Sequence, residues 1–205
     1  MLIHTKGLLN TDVQELYRKV RSGYEKIILN DNEQSELQDI EYCLWKLHYK
    51  HIDEFRKRIK NTSTSQSTKP AEQQNSNHLK GFKLFLSEAT EFYQNLITKI
   101  RKCYRLPEEP SFSRRGCISR TSESKRTQKC QFLCHRFLVC LGDLARYREQ
   151  YEKPNVQNHS WSMAATHYME ATAIWPDSGN PQNQVLHFFV LFSFHCKLFL
   201  GSELL

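Results

Sequence analysis

The chain of 205 residues is long enough for one sizeable hydrophobic core. Its 39% hydrophobic and 25% charged residues are typical of a packed globular protein and exclude a wholly disordered chain. The net charge of +7 favours anionic partners such as nucleic acids, phosphoproteins or acidic membrane surfaces, although solubility alone would also account for it. Seven cysteines without a signal-peptide pattern predict reduced thiols, in the cytoplasm or also in the nucleus.

Two amphipathic helices are predicted in the first sixty residues. Apolar residues recur every three or four positions over 13–28, with Thr11 as the N-cap. A second helix is predicted over residues 35–59. Residues 61–77 have no large apolar side chain and are rich in Ser, Thr, Gln and Asn, so we expect a flexible connection.

Three further helices are predicted in the rest of the chain. Residues 79–100 carry a broad apolar stripe, so this helix must contact neighbours on more than one side. After a flexible, basic loop at 106–127, the fourth helix contains residues 129–148, and the fifth begins near Trp161 and ends before Pro176. No segment alternates with period two for long, so the predicted class is all-α.

The last two helices match the spacing of a tetratricopeptide repeat. The matching residues are Leu141, Gly142, Ala164, Tyr168, Ala171 and Pro176. Ala145 departs from the pattern, which has an aromatic residue there. Small side chains would let the two helices approach closely, and the earlier helices must stack on the pair because one pair cannot bury itself. We therefore expect one helical domain over residues 11–184.

Asp143 and Arg146 interrupt a helix that is apolar on nearly all sides. A guanidinium group in such surroundings needs a partner, and it suits a carboxylate or a phosphate through two parallel hydrogen bonds. Arg146 therefore lies either in a groove that binds an external anion or in an internal ion pair with Asp143. The spacing alone favours the internal pair.

The second predicted helix also carries a basic stripe. Lys46, Lys50 and Lys57 fall within a narrow arc, away from the apolar face. The alternative is an ordinary solvated face on which Asp53 and Glu54 act as counter-ions.

Motifs for metal binding and catalysis are absent from the sequence. Cys130, Cys134 and His135 lack the usual ligand spacing and a second Cys/His pair, which favours core packing. His48 and His51 fall at packing positions without a nearby nucleophile. We expect no catalytic residue, no metal site and no cofactor, and so no enzyme.

Three stretches together carry a family resemblance: IEYCLWKLHYK, FLSEATEFY, and LGDLARYR with GNPQNQ. They resemble the N-terminal 14-3-3-like domain of the nonsense-mediated mRNA decay adaptors, a family related to the ever-shorter-telomeres subunit of telomerase, and in particular they look like the plant form of the adaptor. The resemblance covers most of residues 13–184. It implies a 14-3-3-like antiparallel helical array, with a tetratricopeptide-type pair, whose groove binds phosphoserine through Lys50 and Arg146.

The resemblance also implies partners: the phosphorylated up-frameshift RNA helicase, a paralogous adaptor, and decay or phosphatase factors. An alternative function is weak binding of RNA or telomeric nucleic acid through the basic loop 106–127. Another is a truncated isoform with little activity of its own, because the family's pattern is lost after residue 184. The tail at 185–205 holds about 16 mostly apolar residues, from Val185 to Leu200, interrupted by His187, His195 and Lys197, whereas a membrane span needs ~20, so we do not expect a membrane anchor.

Overall fold

The computed structural model describes residue 7 and residues 10–30, 37–64, 69–104, 122–152 and 160–178. These residues form five α-helices and no strand: α1 (Thr11–Leu29), α2 (Leu37–Thr64), α3 (Lys69–Tyr104), α4 (Ser122–Glu152) and α5 (Ser162–Ile174). The predicted all-α class is confirmed. The predicted domain end at residue 184 and the tail at 185–205 lie outside the described residues.

The helices form two compact units, divided within α3 between Phe92 and Tyr93. In the first unit, the ring of Phe85 on α3 contacts the ring of Tyr17 on α1. In the second, the ring of Tyr93 contacts that of Phe137 on α4. The broad apolar stripe of α3 thus has different neighbours along its length, α1 in the first unit and α4 in the second. The division lies within the range predicted as one helical domain.

The helices extend into both of the segments that we predicted to be flexible. Because α2 continues to Thr64 and α3 begins at Lys69, most of residues 61–77 is helical. Similarly, the last part of the predicted loop 106–127 belongs to α4. A helix that is nucleated in a core can continue into polar sequence, because each further residue adds a backbone hydrogen bond. The hydroxyl of Thr62 also donates to Oδ1 of Asn75 across the two helix ends, at 3.0 Å.

The first helix buries only one edge of its apolar arc. Val13, Tyr17 and Ile28 are buried, whereas Leu16, Val20 and Ile27 are exposed. Its N-cap is Asn10 rather than Thr11, because Oδ1 of Asn10 accepts a hydrogen bond from the backbone N–H of Asp12 at 3.0 Å.

Candidate functional site

A close contact between α4 and α5 joins Gly142 to Tyr168. A Cβ atom on Gly142 would lie 2.5 Å from Cε1 and 2.7 Å from Cδ1 of Tyr168, closer than two carbon atoms can pack. Tyr168 is fully buried there, as are Ala164 and Ala171 on the same face of α5. The predicted close approach of the two helices at their small residues is confirmed.

Asp143 is the centre of a polar contact beside this packing. The Tyr168 hydroxyl donates a hydrogen bond to Oδ1 of Asp143 at 2.8 Å. Nη2 of Arg146 donates to the same oxygen at 3.3 Å. The predicted internal pair is therefore present, but its carboxylate is shared with a tyrosine that we did not foresee in this role. The repeat spacing that places Tyr168 opposite Gly142 was the signal that could have identified it.

The surroundings of Arg146 keep its guanidinium group protonated and charged. Burial is the largest single effect and lowers the pKa of Arg146, but the Asp143 carboxylate together with Tyr168 and Tyr147 outweighs it, so the pKa of Arg146 lies above its ordinary value. The Arg146 side chain is 32% exposed. Its Nε is buried and has no hydrogen-bond partner in the part of the chain that the structure describes. Arg146 is thus permanently charged, and its Nε–H is a donor that no described residue uses.

Tyr168 is held in its protonated form. Burial raises the pKa of its hydroxyl, and the negative charge of Asp143 raises it further, whereas Arg146 acts in the opposite direction. The net shift is upward. The hydroxyl is therefore a permanent donor toward Asp143.

The basic stripe on α2 is only partly free. Lys57 pairs with Asp53 at 2.7 Å, and Glu54 pairs with an arginine one turn later. Lys46 lies over a neighbouring tyrosine ring. Lys50 is exposed and makes no ion pair with any described residue. The interpretation of Asp53 as a counter-ion is therefore confirmed for Lys57, whereas Lys50 has no counter-ion among the described residues. Lys50 belongs to the first compact unit and Arg146 to the second.

The cysteine and histidine cluster of α4 packs in the core, as predicted. Cys130 and Cys134 are buried, and burial raises the pKa of the Cys134 thiol to about 11, so it stays neutral. Nδ1 of His135 is hydrogen-bonded to the carbonyl oxygen of Ala171 at 2.9 Å, which ties α4 to α5. Across the described segments, no group of three or more His, Cys, Asp or Glu side chains could hold a metal ion.

His48 and His51 are also packing residues, as predicted. Both are buried, and their Nδ1 atoms are hydrogen-bonded to carbonyl oxygens one turn earlier on α2. The ring of His51 stacks on Phe85 and that of His48 on Phe92. Among the described residues, no helix is both long enough and apolar enough to cross a membrane.

The geometry defines an all-α protein with a half-buried arginine site at a close helix pair. Residues 39–152 match the family described as "Telomerase activating protein Est1". The chain belongs to this Est1 family.

Three curated relatives are similar to most of the chain. It is 51% identical over 184 residues to "Nonsense-mediated mRNA decay factor SMG7-like" of Arabidopsis thaliana, covering 90% of this chain and 18% of the relative. It is 38% identical over 182 residues to the Arabidopsis factor SMG7, covering 83% and 17%. It is 28% identical over 176 residues to "Telomerase-binding protein EST1A" of Danio rerio, covering 83% and 10%. The chain thus spans less than a fifth of the length of each.

Proposed function

We propose that the chain is a phosphoserine-binding adaptor module of nonsense-mediated mRNA decay, in which Arg146 contacts the phosphate and Lys50 adds a second positive charge. Membership of the Est1 family and the names of the two Arabidopsis relatives support the pathway. The observation that carries the proposal is the half-buried, permanently charged Arg146, whose guanidinium is only partly used by Asp143.

The chemistry of this arginine suits a phosphate monoester. Phosphoserine carries about −1.5 to −2 charges and three acceptor oxygens. A guanidinium group can offer two parallel N–H donors to such a group, typically at about 2.7–2.9 Å. The internal contact from Arg146 to Asp143 is single and longer, at 3.3 Å, so it occupies little of this capacity. An unphosphorylated serine lacks the charge that would compensate for burying the contact.

The partners follow from the same proposal. We propose the phosphorylated RNA helicase of mRNA surveillance as the ligand, and a paralogous adaptor together with decay or phosphatase factors as further partners. The site of action would be the cytoplasm, and also the nucleus. The nucleic-acid alternative depends on basic side chains of the 106–127 segment that lie outside the described residues, so no described contact favours it.

Fluorescence anisotropy of a phosphoserine–glutamine peptide, beside its unphosphorylated twin, tests the proposal. We expect phosphate-dependent binding that weakens by about tenfold or more in Arg146→Gln, because the charged hydrogen bonds are lost. Arg148→Gln is the matched control: it removes the same charge from the same helix, at a residue of similar exposure that pairs with Glu152 rather than Asp143. Equal binding of both peptides, or equal losses in both variants, would overturn the proposal, and tight binding of single-stranded RNA instead would favour the alternative.

A further inference from the structure

We infer that Tyr168 is a positioning residue of this anion site. Its hydroxyl holds the Asp143 carboxylate where the carboxylate orients Arg146 but leaves the paired N–H donors of the guanidinium group available to a phosphate. The inference rests on the proposed phosphoserine binding and deepens it. It assigns to α5 a part in a site whose charge lies on α4.

The argument starts from one shared oxygen. Oδ1 of Asp143 accepts from the Tyr168 hydroxyl at 2.8 Å and from Nη2 of Arg146 at 3.3 Å. An arginine and a carboxylate one turn apart would ordinarily close to about 2.7–2.9 Å, often through two parallel bonds. Here the tyrosine has the short bond and the arginine has the long one, so the tyrosine sets the position of the carboxylate.

The hydroxyl cannot easily move, because its ring is fixed. The Tyr168 side chain is fully buried and its ring lies against the backbone of Gly142. Gly142 and Asp143 are consecutive, so the ring contact and the hydroxyl bond act on adjacent residues of α4. A side chain locked by packing is the kind of support that a precise binding site requires.

The state of Arg146 agrees with this role. Its guanidinium carbon lies 4.9 Å from the centre of the Tyr147 ring, which limits its movement. Its buried Nε has no hydrogen-bond partner in the described part of the chain. A carboxylate released from Tyr168 could turn to meet both Nη2 and Nε, and a phosphate would then have to displace it. Removal of the Tyr168 hydroxyl should therefore let Asp143 occupy the donors of Arg146 and weaken phosphate binding.

Tyr168→Phe tests the inference in the full chain, because it keeps the ring against Gly142 and removes only the hydroxyl. We expect the Kd for the phosphoserine–glutamine peptide to rise about three- to tenfold, the range for the net contribution of one ordinary hydrogen bond, because the lost bond acts on the ligand only through Asp143. Tyr17→Phe, at a buried tyrosine of the first compact unit, is the matched control and should leave the Kd unchanged. Far-UV circular dichroism at the assay temperature should show equal helix content in all variants.

A second background separates positioning from packing. In Asp143→Ala, which has no carboxylate for the hydroxyl to hold, Tyr168→Phe should change the Kd by less than about 1.5-fold, as expected for a residue that acts only through its neighbour. The ¹⁵N–¹H signal of Arg146 Nε in the free protein gives a readout without ligand, and it should shift in Tyr168→Phe but not in Tyr17→Phe.

The outcomes distinguish the two proposals. If the unchanged chain binds the phosphopeptide and Arg146→Gln does not, but Tyr168→Phe binds as well as the unchanged chain, then only the inference is overturned. An undiminished effect of Tyr168→Phe in the Asp143→Ala background also overturns it. Absence of phosphate-dependent binding by the unchanged chain overturns the proposed function and the inference together.

Discussion

The ring of Tyr168 fills the space that a side chain on Gly142 would need, at 2.5–2.7 Å from where its Cβ atom would lie. The hydroxyl of the same tyrosine is hydrogen-bonded to Asp143, the next residue of α4. The packing of the helix pair and the position of the carboxylate beside Arg146 therefore depend on a single side chain. Changes that displace the ring should affect stability and binding together.

Gly142→Ala should destabilise the second compact unit by about 1–2 kcal/mol. Alanine gains about 1 kcal/mol of helix propensity over glycine. However, forcing a methyl group into a packed core costs about 1–3 kcal/mol, and because the fully buried ring has little room to shift we expect the upper part of this range, about 2–3 kcal/mol. Urea unfolding followed by circular dichroism measures the difference.

Gly23→Ala is the control for this prediction. Gly23 is also helical, on α1, and an added Cβ would meet nothing within 4 Å. The change should therefore stabilise the chain by about 0.5–1 kcal/mol through propensity alone. Stabilisation by both substitutions would contradict the close helix contact.

The buried His48 should make the first compact unit sensitive to mild acid. Burial lowers the pKa of His48 to about 3, against the hydrogen bond to Leu44 and with a small contribution from Arg21. The neutral ring is favoured by folding, so its contribution is complete above the unfolded pKa of about 6.5 and is lost as the pH falls from there toward 3. Burial lowers the pKa of His51 as well, in the same direction.

Comparison with His48→Leu isolates this contribution. Between pH 7.5 and 5.5, the free energy of unfolding of the unchanged chain should fall by about 1 kcal/mol more than that of the variant, because only in the unchanged chain does unfolding release an imidazole that then takes up a proton. Urea unfolding at the two pH values provides the measurement. Equal losses in the two proteins would show that His48 titrates normally.

The two lysines of α2 should differ in their effect on phosphopeptide binding. Lys57→Gln removes a charge that Asp53 already neutralises, whereas Lys50→Gln removes one without an ion pair among the described residues. We expect the Kd to rise about threefold or more for Lys50→Gln and to stay within about twofold for Lys57→Gln. Anisotropy titrations at one fixed salt concentration measure both, and equal effects would show that only the overall charge of α2 matters.

The sequence predicted what depends on neighbours along the chain. Asp143 and Arg146 are one turn apart, and the small residues at 142, 164 and 171 require close helices whatever their exact angle. It did not predict the bond from Tyr168 to Asp143, because that bond depends on the rotation of α5 about its own axis. Polar composition likewise did not distinguish a solvated helix from a loop at 69–77.

The central claim is that a forked guanidinium, and not positive charge alone, recognises the phosphate. Arg146→Lys tests it most directly, because lysine keeps the charge but cannot donate two parallel hydrogen bonds. The account predicts that the Kd of this variant for the phosphoserine–glutamine peptide rises about tenfold or more, with unchanged helix content. An affinity equal to that of the unchanged chain would contradict it and leave only a general electrostatic attraction.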